Sequence, residues 1–207
     1  MYRAVEPLSL PLGQPRAERG DAVRNRQVLL ATAREMIAEL GVEHVTMDGL
    51  AERAGLGKGT VYRRFGTRAG IFHALLDADE IAFQQRVLGG PPPLGPGADP
   101  VARLIAYGRA RIEHLIEHID IARAALDTHG PIPTGPPTMS PLHLRMLLDR
   151  ADLGVTDTDT LALQLTGALE GPILLFLGTS GESPDSAAAR LTTSWESLIE
   201  RLCAAHR

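Results

Sequence analysis

Lys58, Thr60, Tyr62 and Arg63 lie within six residues of one another and bring together an ammonium, two hydroxyls and a guanidinium. Placed on a helix at about 100° per residue, Val61 and Phe65 share one face. Gly59 and Arg63 point the other way, flanked by Thr60 and Tyr62. One face packs; the other offers donors and a bare backbone. A guanidinium can fork to the O6 and N7 of a guanine, and a short helix of this kind suits a major groove. Gly59 would let the backbone approach the bases while its neighbours make the contacts.

The elements that must hold this helix are legible on either side of it. Thr46 stands where an N-cap belongs, followed by helix-forming residues 47–54. Gly55 breaks that helix, and Gly57 adds freedom before a second short helix over 58–65. An amphipathic helix is expected over 21–40, with Val28, Leu29, Ala33, Met36, Ile37 and Leu40 inward. Thr67 caps a fourth helix running to about residue 88. The core of this head is expected from Ile37, Leu50, Ala51, Leu56, Val61 and Phe65. Arg64, nearer the packed face, is expected to pair with an acid such as Glu52.

Ala51, Ala54 and Gly55, then Gly59, Thr60, Tyr62 and Phe65, then Arg68, form a pattern that resembles the N-terminal domain of TetR-family transcriptional regulators. Gly41 and the Val45-Thr46-Met47 entry fit it too, and the likeness runs over residues 24–76. The resemblance implies that Thr46 presents a helix N-terminus to a phosphate and that Arg68, in place of the usual lysine, touches phosphate. Gly57 stands where such proteins often carry serine, so one cap is missing. It also implies a homodimer built from the last two long helices.

Net charge is −4, which conflicts with nucleic-acid binding until it is divided along the chain. Residues 22–72 carry eight basic and five acidic side chains, and residues 89–207 nine and fourteen. The positive field is local, as a reader on an acidic body requires. The single cysteine, Cys203, excludes an intramolecular disulfide. No secretory start is evident. The apolar run 161–177 is short for a membrane span and is interrupted by Gln164, Glu170 and Pro172. A cytoplasmic location follows. No paired catalytic carboxylates, nucleophile elbow or cysteine nucleophile stands out, and residues 55–60 lack the spacing of a phosphate loop.

The fold class is all-α: a three-helix helix-turn-helix head joined to a larger helical ligand-binding and dimerisation body. A flexible arm is expected over 1–20, the head over 21–83 and the body over 84–207. Breaks at 89–100 and 130–141 separate body helices near 100–118, 120–128, 141–151, 157–177 and 185–205. Phe83, Tyr107, Arg111, His114, Leu115, Leu126, His143, Met146, Leu147, Leu165 and Leu169 are the candidate pocket lining, with Ile112 beside them. The apolar residues among them serve equally as core.

Leu174, Phe176, Leu191, Trp195, Leu198 and Leu202 are the candidate dimer interface, and Gly167 and Gly171 permit close helix approach. His114 and His118 have metal-chelating spacing, with Glu113, Glu117 or Asp120 nearby, but no third ligand stands at a recognisable spacing, so neither metal nor cofactor is expected. The function expected is a dimeric, operator-binding regulator, most simply a repressor released by a small molecule. Alternatives are an activator, a ligand-independent DNA binder and, remotely, a helical enzyme.

Overall fold

The structure, a computed structural model, describes residues 16–125, 139–175 and 183–204. Among the described residues it is all helical, without a strand. It divides into two units, Met1–Ile71 and Phe72–Arg207. The division falls inside a helix, twelve residues before the boundary expected at 83.

The first unit contains α1 (Arg16–Leu40), a 3-10 turn (Val42–His44), α2 (Met47–Arg53), α3 (Lys58–Phe65) and the start of α4 (Arg68–Gly89). Helix α1 starts inside the segment read as a flexible arm, five residues earlier than expected. Good helix formers, Arg16 to Arg19, precede Gly20, and a glycine inside a helix costs only about 1 kcal/mol, so the helix continues through it. Its buried stripe is Leu29, Leu30, Ala33 and Met36, whereas Val28 and Leu40 are exposed. The stripe therefore ends before the helix does.

Thr46 caps α2 as its type predicts, its Oγ1 accepting from the Gly49 amide at 3.0 Å. Gly55 takes φ +65°, and the Leu56 amide then reaches back to the Ala51 carbonyl at 3.0 Å. That left-handed residue turns the chain from α2 into α3. Val61 on α3 packs into the core with Leu50, Ala51, Val45 and Met47, all buried.

The second unit holds the rest of α4 with α5 (Pro100–Glu117), α6 (Ile119–Ala125), α7 (Met139–Ala151), α8 (Thr158–Leu175) and α9 (Pro184–Ala204). Helix α5 is its axis, packed against α7, α8 and α9. Asp99 caps α5 by accepting from the Val101 and Ala102 amides, with Pro100 at the first helical position. The core joins Phe83 and Val87 of α4 to Leu104, Tyr107 and Ile112 of α5, Leu144 and Leu147 of α7, Leu165 and Leu169 of α8, and Trp195 and Ile199 of α9. Helix α7 begins two residues before the expected start. Pro141 is accommodated in its first turn, and Ser140, read as loop, is fully buried.

Trp195 locks α9 onto α5. Its indole Nε1–H donates to the Leu104 carbonyl at 3.0 Å, and the ring occupies the space beside Gly108. A Cβ on Gly108 would lie 1.9 Å from that nitrogen. Gly108→Ala should therefore displace the indole and destabilise the second unit by about 1–3 kcal/mol, as overpacking does. Urea unfolding followed by the fluorescence of the single tryptophan checks this; an unchanged midpoint would contradict the packing described.

Candidate nucleic-acid interface

Helix α3 presents two chemically distinct faces. Val61 is 0 % exposed, whereas Tyr62 is 49 % exposed, with Arg63 and Gly59 exposed beside it. Thr60 is half-buried. Lys58 is exposed and donates to Asp48 Oδ2 at 2.6 Å, which favours the charged form of the amine. An exposed pair of this kind contributes little to stability, so a phosphate can replace the carboxylate. Gly57 supplies no side-chain cap to α3. The exposed face thus combines a phenol, a guanidinium, an ammonium and open backbone at Gly59, with the capped N-terminus of α2 at Thr46.

Two arginines have other work. Arg68, expected to touch phosphate, donates its Nε to the Val45 carbonyl at 2.7 Å and its Nη2 to the Val42 carbonyl at 2.6 Å. The planar fork ties the start of α4 to the segment entering α2. Among the described residues Arg64 pairs with no acid; its Nη2 donates to the Ala22 carbonyl of α1. Glu39 instead holds Arg53, at 2.5 Å. Both arginines thus satisfy backbone carbonyls remote in sequence.

The residues expected to line a pocket in the second unit form a packed layer. Phe83, Tyr107, Ile112, Leu147, Leu165 and Leu169 belong to its core, with Leu115 and Met146 partly buried against it. Leu126 lies outside the described residues. Arg111 is the centre of a buried polar network that the sequence reading missed. Its Nη1 donates to Glu80 Oε2 at 2.5 Å and its Nε to Glu170 Oε1 at 2.9 Å. Ser140 donates to the same Glu170 oxygen at 2.5 Å and meets the Tyr107 hydroxyl at 2.7 Å.

Burial works to raise the Glu80 carboxyl, but His114, Arg111 and Gln84 overcome it and hold it at about 2. Burial opposes the charge on Arg111, and Glu170 and Glu80 outweigh that cost. Burial pushes the Tyr107 phenol up to about 12. His143, its ring 4.8 Å from that of Tyr107, is pushed down to about 4 by burial and by Arg103.

The rings of His114 and His118 lie 4.6 Å apart, His114 facing Glu80 at 3.6 Å and His118 facing Asp79 at 3.2 Å. Among the described residues no three side chains are grouped to hold a metal ion. No helix among them is long and apolar enough to cross a membrane.

The residues expected at a dimer interface separate. Trp195 is taken into the unit's own core, and Leu191 and Leu202 pack partly against it. Leu198 is exposed, and so is Leu163 of α8, which the sequence reading did not single out. Among the described residues, a Cβ at Gly167 or Gly171 would meet no atom within 4 Å. The Leu174 side chain and Phe176 lie outside the described residues.

Residues 29–75 match the model of the bacterial regulatory proteins of the tetR family. An HTH-type transcriptional regulator of Staphylococcus aureus (strain bovine RF122 / ET3-1) is 34 % identical over 65 residues, 31 % of this chain and 35 % of the relative. The chain thus spans about a third of the length of the curated relatives it matches. A TetR-family transcriptional regulator from Pectobacterium atrosepticum superposes with a TM-score of 0.70 and 25 % identity, covering 91 % of this chain and 97 % of that one. A TetR/AcrR-family regulator from Thermobifida fusca shares the fold, with a TM-score of 0.59 and 15 % identity over 84 % and 97 % of the two chains. These neighbours are transcriptional regulators, not enzymes.

Two measurements check the roles assigned to the buried groups. Arg68→Ala should destabilise the first unit by about 1.5–3 kcal/mol, the worth of a charged hydrogen bond. Arg68→Lys should not restore it, because an ammonium lacks the fork; full stability in either variant, measured by thermal unfolding, would return Arg68 to the surface.

The second concerns pH. Glu80 in the folded protein titrates near 2 rather than 4.5, so its contribution is complete above about 4.5 and is lost as pH falls through about 2. His143 titrates near 4 rather than 6.5, so the unfolded chain takes that proton first and stability also falls from about 6.5 to 4. Urea midpoints should therefore drop steadily as the solution is acidified. Glu80→Gln should lower the neutral midpoint and flatten the decline below about 4.5; an unaltered profile would contradict the network.

Proposed function

We propose that the chain is a DNA-binding transcriptional regulator of the TetR family, to whose model residues 29–75 match, and that its reading helix is α3. The observation that carries the proposal is the division of α3 into a fully buried Val61 and an exposed face bearing Tyr62 and Arg63. Arg63 reads a base edge, Tyr62 and Lys58 contact the backbone or bases beside it, Gly59 admits close approach, and Thr46 offers the α2 N-terminus to a phosphate. Thr60 is a lesser contributor because it is half-buried. Arg68 acts by holding the scaffold.

An eight-residue helix reads few base pairs, so the active species is a homodimer on a palindromic operator. Exposed Leu163 on α8 and Leu198 on α9, with open space at Gly167 and Gly171, support pairing through the last two helices. The dimer represses by occupying its operator, and a small molecule entering the second unit releases it. Cytoplasmic action follows from that role.

Arg63→Ala should weaken binding to the operator by about 1–3 kcal/mol and relax base preference at one position of each half-site. Lys58→Ala should weaken binding uniformly across sequences and lower the salt slope by about one. Fluorescence anisotropy on duplexes from the chain's own upstream region, repeated at two salt concentrations, measures both. Undiminished affinity and preference in Arg63→Ala would remove α3 from the reading role.

A further inference from the structure

Asp48 is an acid placed among groups that suit a polyanion. It stands in the first turn of α2, two residues after the Thr46 cap, and its Oδ2 accepts from the Lys58 ammonium at 2.6 Å. Lys58 is the first residue of α3 and the single lysine of the chain. The pair therefore joins the starts of the two helices of the turn. Both partners face solvent, with side chains 67 % exposed at Lys58 and 53 % at Asp48. Glycines flank Lys58, and among the described residues a Cβ at Gly57 or Gly59 would meet no atom within 4 Å.

Local structure accounts for only part of this. The positive end of α2 favours an acid in its first turn, and an exposed ion pair adds little to stability. Against that stands Glu52, one turn later and also exposed, a like charge at i,i+4. Glu39 with Arg53, another exposed pair of the head, joins α1 to α2 and leaves α3 untouched. Asp48 instead holds a cation on the helix offered to DNA, so carboxylate and phosphate compete for one ammonium.

An ionised carboxylate can only accept hydrogen bonds. Once a phosphate draws Lys58 away, Asp48 needs a donor. The major groove supplies donors only as the amino groups on cytosine C4 and adenine C6, whereas guanine and thymine present acceptors there. Adenine sets its N7 acceptor beside the amino group, which suits an amide side chain; cytosine presents the amino group alone. The N-terminal residues of a recognition helix reach base edges, and Asp48 lies one hydrogen bond from the first residue of α3.

We propose that Asp48 is a specificity-determining residue, its carboxylate accepting from the N4 amino group of a cytosine in each half-site and repelling DNA that lacks one there. The inference rests on the reading of α3 as the helix that enters the major groove. Lys58 supplies attraction common to all sequences, and Asp48 opposes it wherever no amino group meets the carboxylate. Arg63 reads a different position.

Selection from a random duplex library by the full chain, by Asp48→Ala and by Asp48→Asn tests this. Anisotropy then compares the duplex enriched by the unaltered protein with its scrambled counterpart. The unaltered protein should enrich cytosine at one position of each half-site. Asp48→Ala should lose about tenfold of discrimination at that position alone, and Asp48→Asn should turn the preference towards adenine. Both variants should bind the scrambled duplex about threefold more tightly at low salt, because Lys58 is no longer contested. Their unfolding midpoints should stay near that of the unaltered protein, since the pair is exposed. Unchanged preference at every position in Asp48→Ala, or unchanged affinity of both variants for the scrambled duplex, would overturn the proposal and leave the reading role of α3 in place. A library from which the unaltered protein draws no common sequence would overturn both.

Discussion

A helix of eight residues does not hold itself together in water. The exposed face of α3 exists because neighbouring elements fix it, and that constraint organises the first unit. Val61 anchors the helix from beneath. The turn at Gly55 sets its approach from α2, and Arg64 ties its far end to α1 through the Ala22 carbonyl. Arg68 then fastens the start of α4 to the carbonyls of Val42 and Val45. Basic residues close together in sequence thus divide between scaffold and surface: Arg64 and Arg68 brace the unit, while Arg63 and Lys58 remain outside.

The second unit solves a different problem, that of burying charge. Arg111 lies within a mostly apolar core because Glu80 of α4 and Glu170 of α8 compensate it and Ser140 with Tyr107 completes the hydrogen bonding. Removing one member of such a set costs more than the set contributes as a whole, because the others are left charged and unpaired. The network therefore specifies how α4, α5, α7 and α8 meet more than it adds stability. On the same helix the Nε of Arg103 is buried without a hydrogen-bond partner among the described residues.

Local signals made the head readable from its residues. The Thr46 cap, the Gly55 turn and the alternating faces of 58–65 each act within a few positions, and each has a specific stereochemical cause. The partners of the arginines were not readable in that way. Arg68 is 23 and 26 positions from its two acceptors, so its sequence context displays a charge without showing where it goes. Glu170 was visible only as an interruption of an apolar run. A carboxylate within such a helix requires a buried cation, and Arg111 on the inner face of α5 was the available one. Trp195 fitted a four-three-four seam, but its ring is taken into the chain's own core because Gly108 leaves room for the indole, while Leu198 of the same seam stays exposed. Ser140 followed a proline- and glycine-rich stretch and so read as loop, although Pro141 beside it is compatible with a helical first turn.

Selection from a random duplex library, followed by sedimentation of the protein on the enriched sequence, tests the central claim most directly. The account predicts enrichment of an inverted repeat whose half-sites face the same side of the duplex, bound by two chains far more tightly than its scrambled counterpart at both low and high salt. A library that emerges without a common sequence, or equal weak binding to every duplex that disappears at high salt, would contradict the assignment of α3 as a reader of bases.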